Sequence, residues 1–150
     1  MRTVKNILDT KDESENIIEP TAMVIDALKK LISVNLSYLV VFEDGLFKGI
    51  FSERDYTRNL VLQGRSSRDT MVRDVMTTNL PIVPLSKTVE DCMYLMNTRG
   101  TRYLEATDEG NFAGIITIHD LLREALASKE NVFNNSISQL LDTNESNKIF

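Results

Sequence analysis

The chain has one cysteine and one histidine in 150 residues. Cys92 has no partner for an internal disulfide, so a disulfide framework is excluded and stability must come from burial. Its place among the apolar residues of a predicted helix reads as a buried structural thiol rather than a nucleophile. A single histidine, with no acid pair or metal-ligand cluster at useful spacing, leaves little material for catalysis, and the chain reads as a non-enzyme without a metal site. Positive charge is also scarce: 17 Lys and Arg face 22 Asp and Glu, for a net charge of -5 and a pI near 4.9. With no basic stripe to neutralise phosphates, no nucleic-acid partner is expected. No apolar run approaches the ~20 residues needed to span a bilayer, and Met1-Arg2-Thr3-Val4-Lys5 lacks the apolar core of a signal peptide. No membrane association is expected, and a cytoplasmic location is the default.

What is present is a core-forming content of 42% hydrophobic residues, enough for one ordinary domain or two very small ones. The most informative stretch occurs twice. Gly49-Ile50-Phe51-Ser52-Glu53-Arg54-Asp55 and Gly114-Ile115-Ile116-Thr117-Ile118-His119-Asp120 share a glycine, two apolar residues, a hydroxyl and an aspartate. Each reads as a buried strand running into a helix, because the apolar run stops at the hydroxyl and amphipathic spacing begins after the aspartate. A hydroxyl and a carboxylate then stand at a helix N-terminus, where unpaired amides and the macrodipole favour an anion. The same Ser-x-x-Asp and Thr-x-x-Asp spacing also fits a capping box with no ligand at all.

The elements follow in order. Val4, Ile7 and Leu8 open the chain at helical spacing, the charged stretch from Asp9 to Glu15 reads as an exposed loop, and Ile17-Ile18 are extended. Thr21 is the expected N-cap of a helix carrying Val24, Leu28, Leu31 and Ile32 to about Asn35. Tyr38 to Phe42 and Phe47 to Phe51 form strands joined at Glu43-Asp44-Gly45, since Asp-Gly accepts the positive φ angles of a tight hairpin. Ser52 opens a helix with Tyr56, Leu60 and Val61 on one face, and Gln63 to Thr70 reads as a linker. The order then restarts with Val72, Val75 and Met76, Ile82-Val83, the helix of Val89, Cys92, Met93 and Met96, and the hairpin of Tyr103-Leu104 with Phe112 to Ile116. A constant offset relates the halves: 110 − 45 = 65, 114 − 49 = 65 and 120 − 55 = 65. Two such half-units each have one sheet face covered by helices and one that needs a partner.

A tandem repeat of this length, ending each time in Gly-apolar-x-(Ser/Thr)-x-x-Asp, resembles the CBS domain pair, or Bateman module. Ser52-Glu53-Arg54-Asp55-Tyr56, Gly64-Arg65-Ser66-Ser67 and Val72-Arg73-Asp74-Val75-Met76-Thr77 are similar to the small stand-alone bacterial pairs. The resemblance implies an α/β (α+β) fold of two β-α-β-β-α repeats packed with pseudo-two-fold symmetry. The division drawn from the sequence is 1–68 for the first repeat with its linker, 69–130 for the second and 131–150 for a C-terminal tail. It further implies a regulatory module, with no required cofactor, that holds an adenosyl ligand such as AMP, ATP or NAD in the cleft between repeats and reports to a regulated protein that the sequence does not identify. A structural module with vestigial sites is the alternative.

Carried over residue by residue, Asp55 and Asp120 take the ribose hydroxyls and Ser52 and Thr117 stand on the phosphate side, with Arg54 and His119 as candidate phosphate partners. Arg102 is similar to a basic position in many second repeats, where Ser37 stands in the first. The second repeat reads Tyr103-Leu104-Glu105-Ala106 where the family commonly has an apolar-Pro-Val run. A homodimer is also expected, with Leu60, Val61, Leu121, Leu122 and Leu126 as apolar positions available to an interface as well as a core. In the tail, Ile137, Leu140 and Leu141 are spaced for one helical turn that docks or frays, and 142–148 reads as disordered.

Overall fold

The structure is a computed structural model that describes residues 2–11, 15–128 and 137–141. The chain divides into two compact units, one of residues 12–80 and one combining residues 1–11 with 81–150. The units are mixed α and β, and each is built on a three-stranded sheet. They are drawn differently from the sequence division at 68 and 69, because the leading segment of each repeat packs with the sheet of the other.

In the unit of residues 12–80, β1 (Ile17–Ile18) lies parallel to β2 (Tyr38–Glu43), which pairs antiparallel with β3 (Leu46–Ser52). The hairpin turn has Asp44 at φ 51° and Gly45 at φ 76°, the two positive angles of the turn that matches strand twist. α2 (Val24–Val34) buries Val24, Ala27 and Leu31 and ends on Asn35 in the left-handed conformation. Thr21 is not its cap. The helix starts at Val24 after Met23, and its first amides donate to backbone carbonyls of the supposed linker, Val24 N to Thr70 O (2.9 Å) and Ile25 N to Ser67 O (2.9 Å). β3 runs into α3 (Glu53–Asp55), which widens at once into a π-helix, Tyr56–Val61. This segment buries Leu60, whereas Val61 is exposed. A 3₁₀ turn, Val72–Asp74, then adds Val72 and Val75 to the core.

The second unit repeats this plan. β4 (Ile82–Pro84) is parallel to β5 (Tyr103–Asp108), which is antiparallel to β6 (Asn111–Thr117), with Glu109 and Gly110 at positive φ in the turn. α4 (Val89–Arg99) is capped by the Thr88 hydroxyl and buries Val89, Cys92, Met93 and Met96. Burial pushes the Cys92 thiol up to about 12, as suits an inert core sulfur. α5 (Ile118–Ser128) buries Leu121 and Ala125 and exposes Leu126. The leading helix α1 (Val4–Thr10) belongs to this unit. It continues through Asp9 and Thr10, which were expected in a loop, and buries Val4 and Ile7 against Val83, Val89 and Met96. Residues 137–141 form a helical turn whose Leu140 and Ile137 join the same core. The disorder expected over 142–148 falls outside the described residues.

The glycines at matching positions, Gly49 and Gly114, do different work. Gly49 has φ 155°, and a Cβ there would lie 2.3 Å from the Thr77 carbonyl oxygen, a backbone atom that pairs with β3 through Ile50 N to Thr77 O (3.0 Å) and Thr77 N to Ile50 O (2.8 Å). A Cβ at Gly114 would meet only the end of the Leu8 side chain, at 2.7 Å, which can rotate away. Gly49→Ala is therefore expected to destabilise the protein by about 2–4 kcal/mol, from clash and strain together, and Gly114→Ala by about 1 kcal/mol or less. Urea denaturation of the two variants checks the order, and equal midpoints would refute the distinction.

Candidate functional site

Both Gly-apolar-x-(Ser/Thr)-x-x-Asp copies form a strand-to-helix junction. Register places Ser52 opposite Tyr38 and Thr117 opposite Tyr103, so each hydroxyl is the last strand residue before its helix. The first helix amide donates across to the start of the neighbouring strand, Glu53 N to Ser37 O (3.2 Å) and Ile118 N to Arg102 O (3.0 Å). Arg102 therefore borders the helix start through its backbone carbonyl, while its side chain is exposed.

The carboxylates fold back as the capping box requires. Asp55 accepts from Ser52 N (2.9 Å) and Ser52 Oγ (3.0 Å), and its own amide donates to Ser52 Oγ (3.2 Å). Asp120 accepts from Thr117 N (2.8 Å), and its amide donates to Thr117 Oγ1 (3.2 Å). All four residues are buried, with Asp55 and Asp120 each only 4% exposed. The cap reading of these motifs thus holds at the level of local geometry. It does not use up the chemistry, because an ionised carboxylate has about four lone-pair sites and can serve a cap and a ligand together.

Each carboxylate also has a partner from the leading segment that packs with its unit, and these partners differ. Thr77 Oγ1 donates to Asp55 Oδ1 at 2.6 Å. At the other junction Lys11 Nζ donates to Asp120 Oδ2 at 3.0 Å and to the Ile115 carbonyl at 2.8 Å, while Arg123 donates to Asp120 Oδ1 at 3.2 Å. Sequence reasoning singled out none of Lys11, Thr77 and Arg123. Thr77 and Lys11 lie far along the chain from their acids, and Arg123 is a largely exposed arginine of a helix face.

The remaining sequence candidates are on the outside. Arg54 and His119 occupy the second position of their helices and are exposed. Leu39, Leu104 and Val83, on the neighbouring strands, are fully buried in the two cores, with Ile18 at the margin. Glu105 stands on β5 opposite Ile115 of β6, where the first repeat has Val40, and partial burial pushes its carboxyl up. Among the described residues no group of three or more potential metal ligands occurs, and no helix is long and apolar enough to cross a membrane.

Electrostatically, burial pushes the Asp55 carboxyl above its ordinary value of 3.8, and hydrogen bonds from Thr77 and Ser52 and the charge of Arg58 pull it part of the way back. A raised folded value means that protonating Asp55 favours the folded state. Its stabilising contribution is present at pH below the ordinary carboxylate range and is lost as pH rises through the raised value. Carboxyl-carbon NMR is expected to find Asp55 titrating above 3.8, and Thr77→Val to move it higher still, by removing the hydroxyl that favours the charged form. A downward move in Thr77→Val would show that this hydroxyl does not stabilise the anion.

Comparison with known proteins agrees with this geometry. The CBS domain family model matches twice, over residues 6–62 and 72–127. The mitochondrial CBS domain-containing protein CBSX3 of Arabidopsis thaliana is 34% identical over 106 residues, covering 67% of this chain, which spans about half (51%) of that relative's length. A CBS-domain protein structure from Burkholderia ambifaria superposes with a TM-score of 0.77 at 33% identity, covering 85% of this chain and 96% of that one. The structure of CBSX2 in complex with AMP superposes with a TM-score of 0.68 at 28% identity, covering 87% of this chain and all (100%) of that one. With two matched repeats that between them account for most of its length, and a strand-to-helix junction at the end of each, the chain belongs to the CBS domain family.

Proposed function

We propose that this CBS pair is a regulatory adenosyl-nucleotide-binding module without chemistry of its own. The observation that carries the reading is the doubled junction, where a buried carboxylate and a buried hydroxyl stand beside helix amides. A carboxylate accepts from the two adjacent hydroxyls of a ribose, and a hydroxyl at the positive end of a helix bonds a phosphate oxygen without adding repulsion. Asp55 and Asp120 are assigned to ribose, and Ser52 and Thr117 to the phosphate side. Arg54, Arg102 and His119 are exposed at the same helix starts and strand ends and are assigned to phosphate. The AMP complex of CBSX2 favours AMP as the first ligand to test, with ATP and NAD next. A homodimer in the cytoplasm, acting on a separate regulated protein, completes the proposal. Of the apolar positions available to an interface, Leu60 and Leu121 are spent in the core, whereas Val61 and Leu126 are exposed.

One observation favours the structural alternative. Both acids already satisfy their capping boxes, and among the described residues no buried side-chain polar atom lacks a partner. Ligand binding must therefore add to bonds already made or replace them.

A thermal-shift panel of AMP, ADP, ATP, NAD and S-adenosylmethionine separates the readings. A ligand at 100 times its dissociation constant stabilises the fold by about 2.7 kcal/mol, and no response to any of the five would favour the structural module. Asp55→Ala and Asp120→Ala are each expected to weaken one site about 10- to 100-fold, the scale of hydrogen bonds to a charged group, while circular dichroism shows the fold retained. Unchanged stoichiometry and affinity in both variants would remove the ribose assignment. For the cations, His119→Gln is expected to weaken NAD at the Thr117 site and to leave the Ser52 site as it was. Equal NAD affinity at the Thr117 site in the two proteins would return His119 to the ordinary surface.

A further inference from the structure

The two junctions share every backbone contact of the cap and differ in what closes them. Around Asp55 the closing group is neutral: the Thr77 backbone pairs with Ile50 in both directions and its hydroxyl holds Asp55 Oδ1. Around Asp120 one ammonium takes both roles. Lys11 Nζ bonds the Ile115 carbonyl, the counterpart of Ile50, and the Asp120 carboxylate, the counterpart of Asp55. The residue matching Thr77 is an aspartate whichever register is used: 77 − 65 = 12 gives Asp12, and 77 − 68 = 9, the offset of the leading apolar residues, gives Asp9. An ionised aspartate has no proton to donate to a second carboxylate, so a donor from elsewhere must fill the place.

We infer that Lys11 is an internal occupant of the Asp120 junction, which competes with ligand for the carboxylate and makes this site the weaker of the two. The inference rests on the nucleotide-binding reading of these junctions. The Lys11 side chain is 26% exposed and Asp120 4%, so the pair is largely withdrawn from water and is not one of the surface ion pairs that contribute almost nothing. With Lys11 on Oδ2, Arg123 on Oδ1 and Thr117 N on Oδ2, both carboxylate oxygens are engaged and two of the three donors are cations. A ribose offers only neutral hydroxyls, weaker partners for a carboxylate than an ammonium. A nucleoside must therefore displace Lys11 or accept a poorer geometry beside it. At Asp55 the hydrogen-bond donors among the described residues are neutral, Thr77 Oγ1, Ser52 Oγ and Ser52 N, and the Arg58 charge acts on the acid only through space, so a ribose hydroxyl competes there with its own kind.

The test is an NMR titration of the full chain with AMP, reading the amides of Ser52 and Asp55 for one junction and of Thr117 and Asp120 for the other. In the wild type the first pair is expected to respond at lower AMP than the second. In Lys11→Met, which keeps the apolar stem and removes the charge, the Thr117 and Asp120 midpoint is expected to fall about tenfold, the size of one charge-assisted hydrogen bond. The Ser52 and Asp55 midpoint stays where it was, and Lys11→Arg behaves as wild type. An unchanged Thr117 and Asp120 midpoint in Lys11→Met overturns the inference, and a weaker one overturns it by making Lys11 a ligand contact. Both outcomes leave the nucleotide reading standing if the Ser52 pair responds. If AMP, ATP and NAD move none of the four amides in any variant, the nucleotide reading fails and takes the inference with it.

Discussion

The structure depends on a buried carboxylate at the point where a strand becomes a helix. Asp55 and Asp120 are almost wholly withdrawn from water, and a carboxylate so placed is costly unless every oxygen is met by donors. The backbone meets part of the demand, because the hydroxyl residue and the aspartate bond each other's amides across the first helical turn. That bond fixes the angle at which α3 and α5 leave their strands. The rest of the demand must come from another part of the chain. This is why a segment remote in sequence is held against each junction, and why the compact units do not coincide with the sequence repeats.

The consequence for packing is that each sheet has its third-strand edge closed by borrowed chain. Beside β3 the borrowed segment approaches so closely that position 49 has no room for a Cβ, and the Ile50 and Thr77 amides and carbonyls pair as a short bridge. Beside β6 the approach is looser, at the level of the Leu8 side chain, and a lysine reaches across the gap. Backbone pairing is short and directional, whereas a lysine stem spans several ångströms and carries its charge with it. A one-for-one structural repeat thus came to hold two chemically different closures.

Those parts of the fold that rest on local pattern were legible in the sequence. Asp44-Gly45 announced its hairpin through backbone conformations that few residues accept, and the buried set Val89, Cys92, Met93 and Met96 followed from helical spacing. The capping hydroxyls and aspartates were legible as pairs for the same reason. Thr21 misled because an N-cap is only one way to satisfy helix amides, and here the carbonyls of Ser67 and Thr70 did so across a turn of chain that looked like a linker. The π-helical widening after Asp55 also left no mark in the apolar spacing, since Leu60 is buried in either geometry. Lys11 and Thr77 were beyond a local reading altogether. An exposed-looking lysine within a charged stretch and a threonine after Met76 acquire meaning only once the sheet edges that receive them are known.

Unequal closure matters if the chain works by binding, as proposed. A ligand shifts a conformational equilibrium only by its differential affinity for the two states, and two identical sites would report one concentration range. On the proposed nucleotide reading, a ligand hydroxyl at Asp55 competes with neutral hydrogen-bond donors. At Asp120 the proposed competitor is the ammonium of Lys11, the residue that ends α1, a helix that buries Val4 and Ile7 in the same core. Displacing that ammonium therefore acts on the end of a packed helix as well as on the site. On the same reading, a change in occupancy at Asp120 acts on the residue that ends α1, whereas at Asp55 the closing group is a threonine whose backbone is paired to the sheet edge.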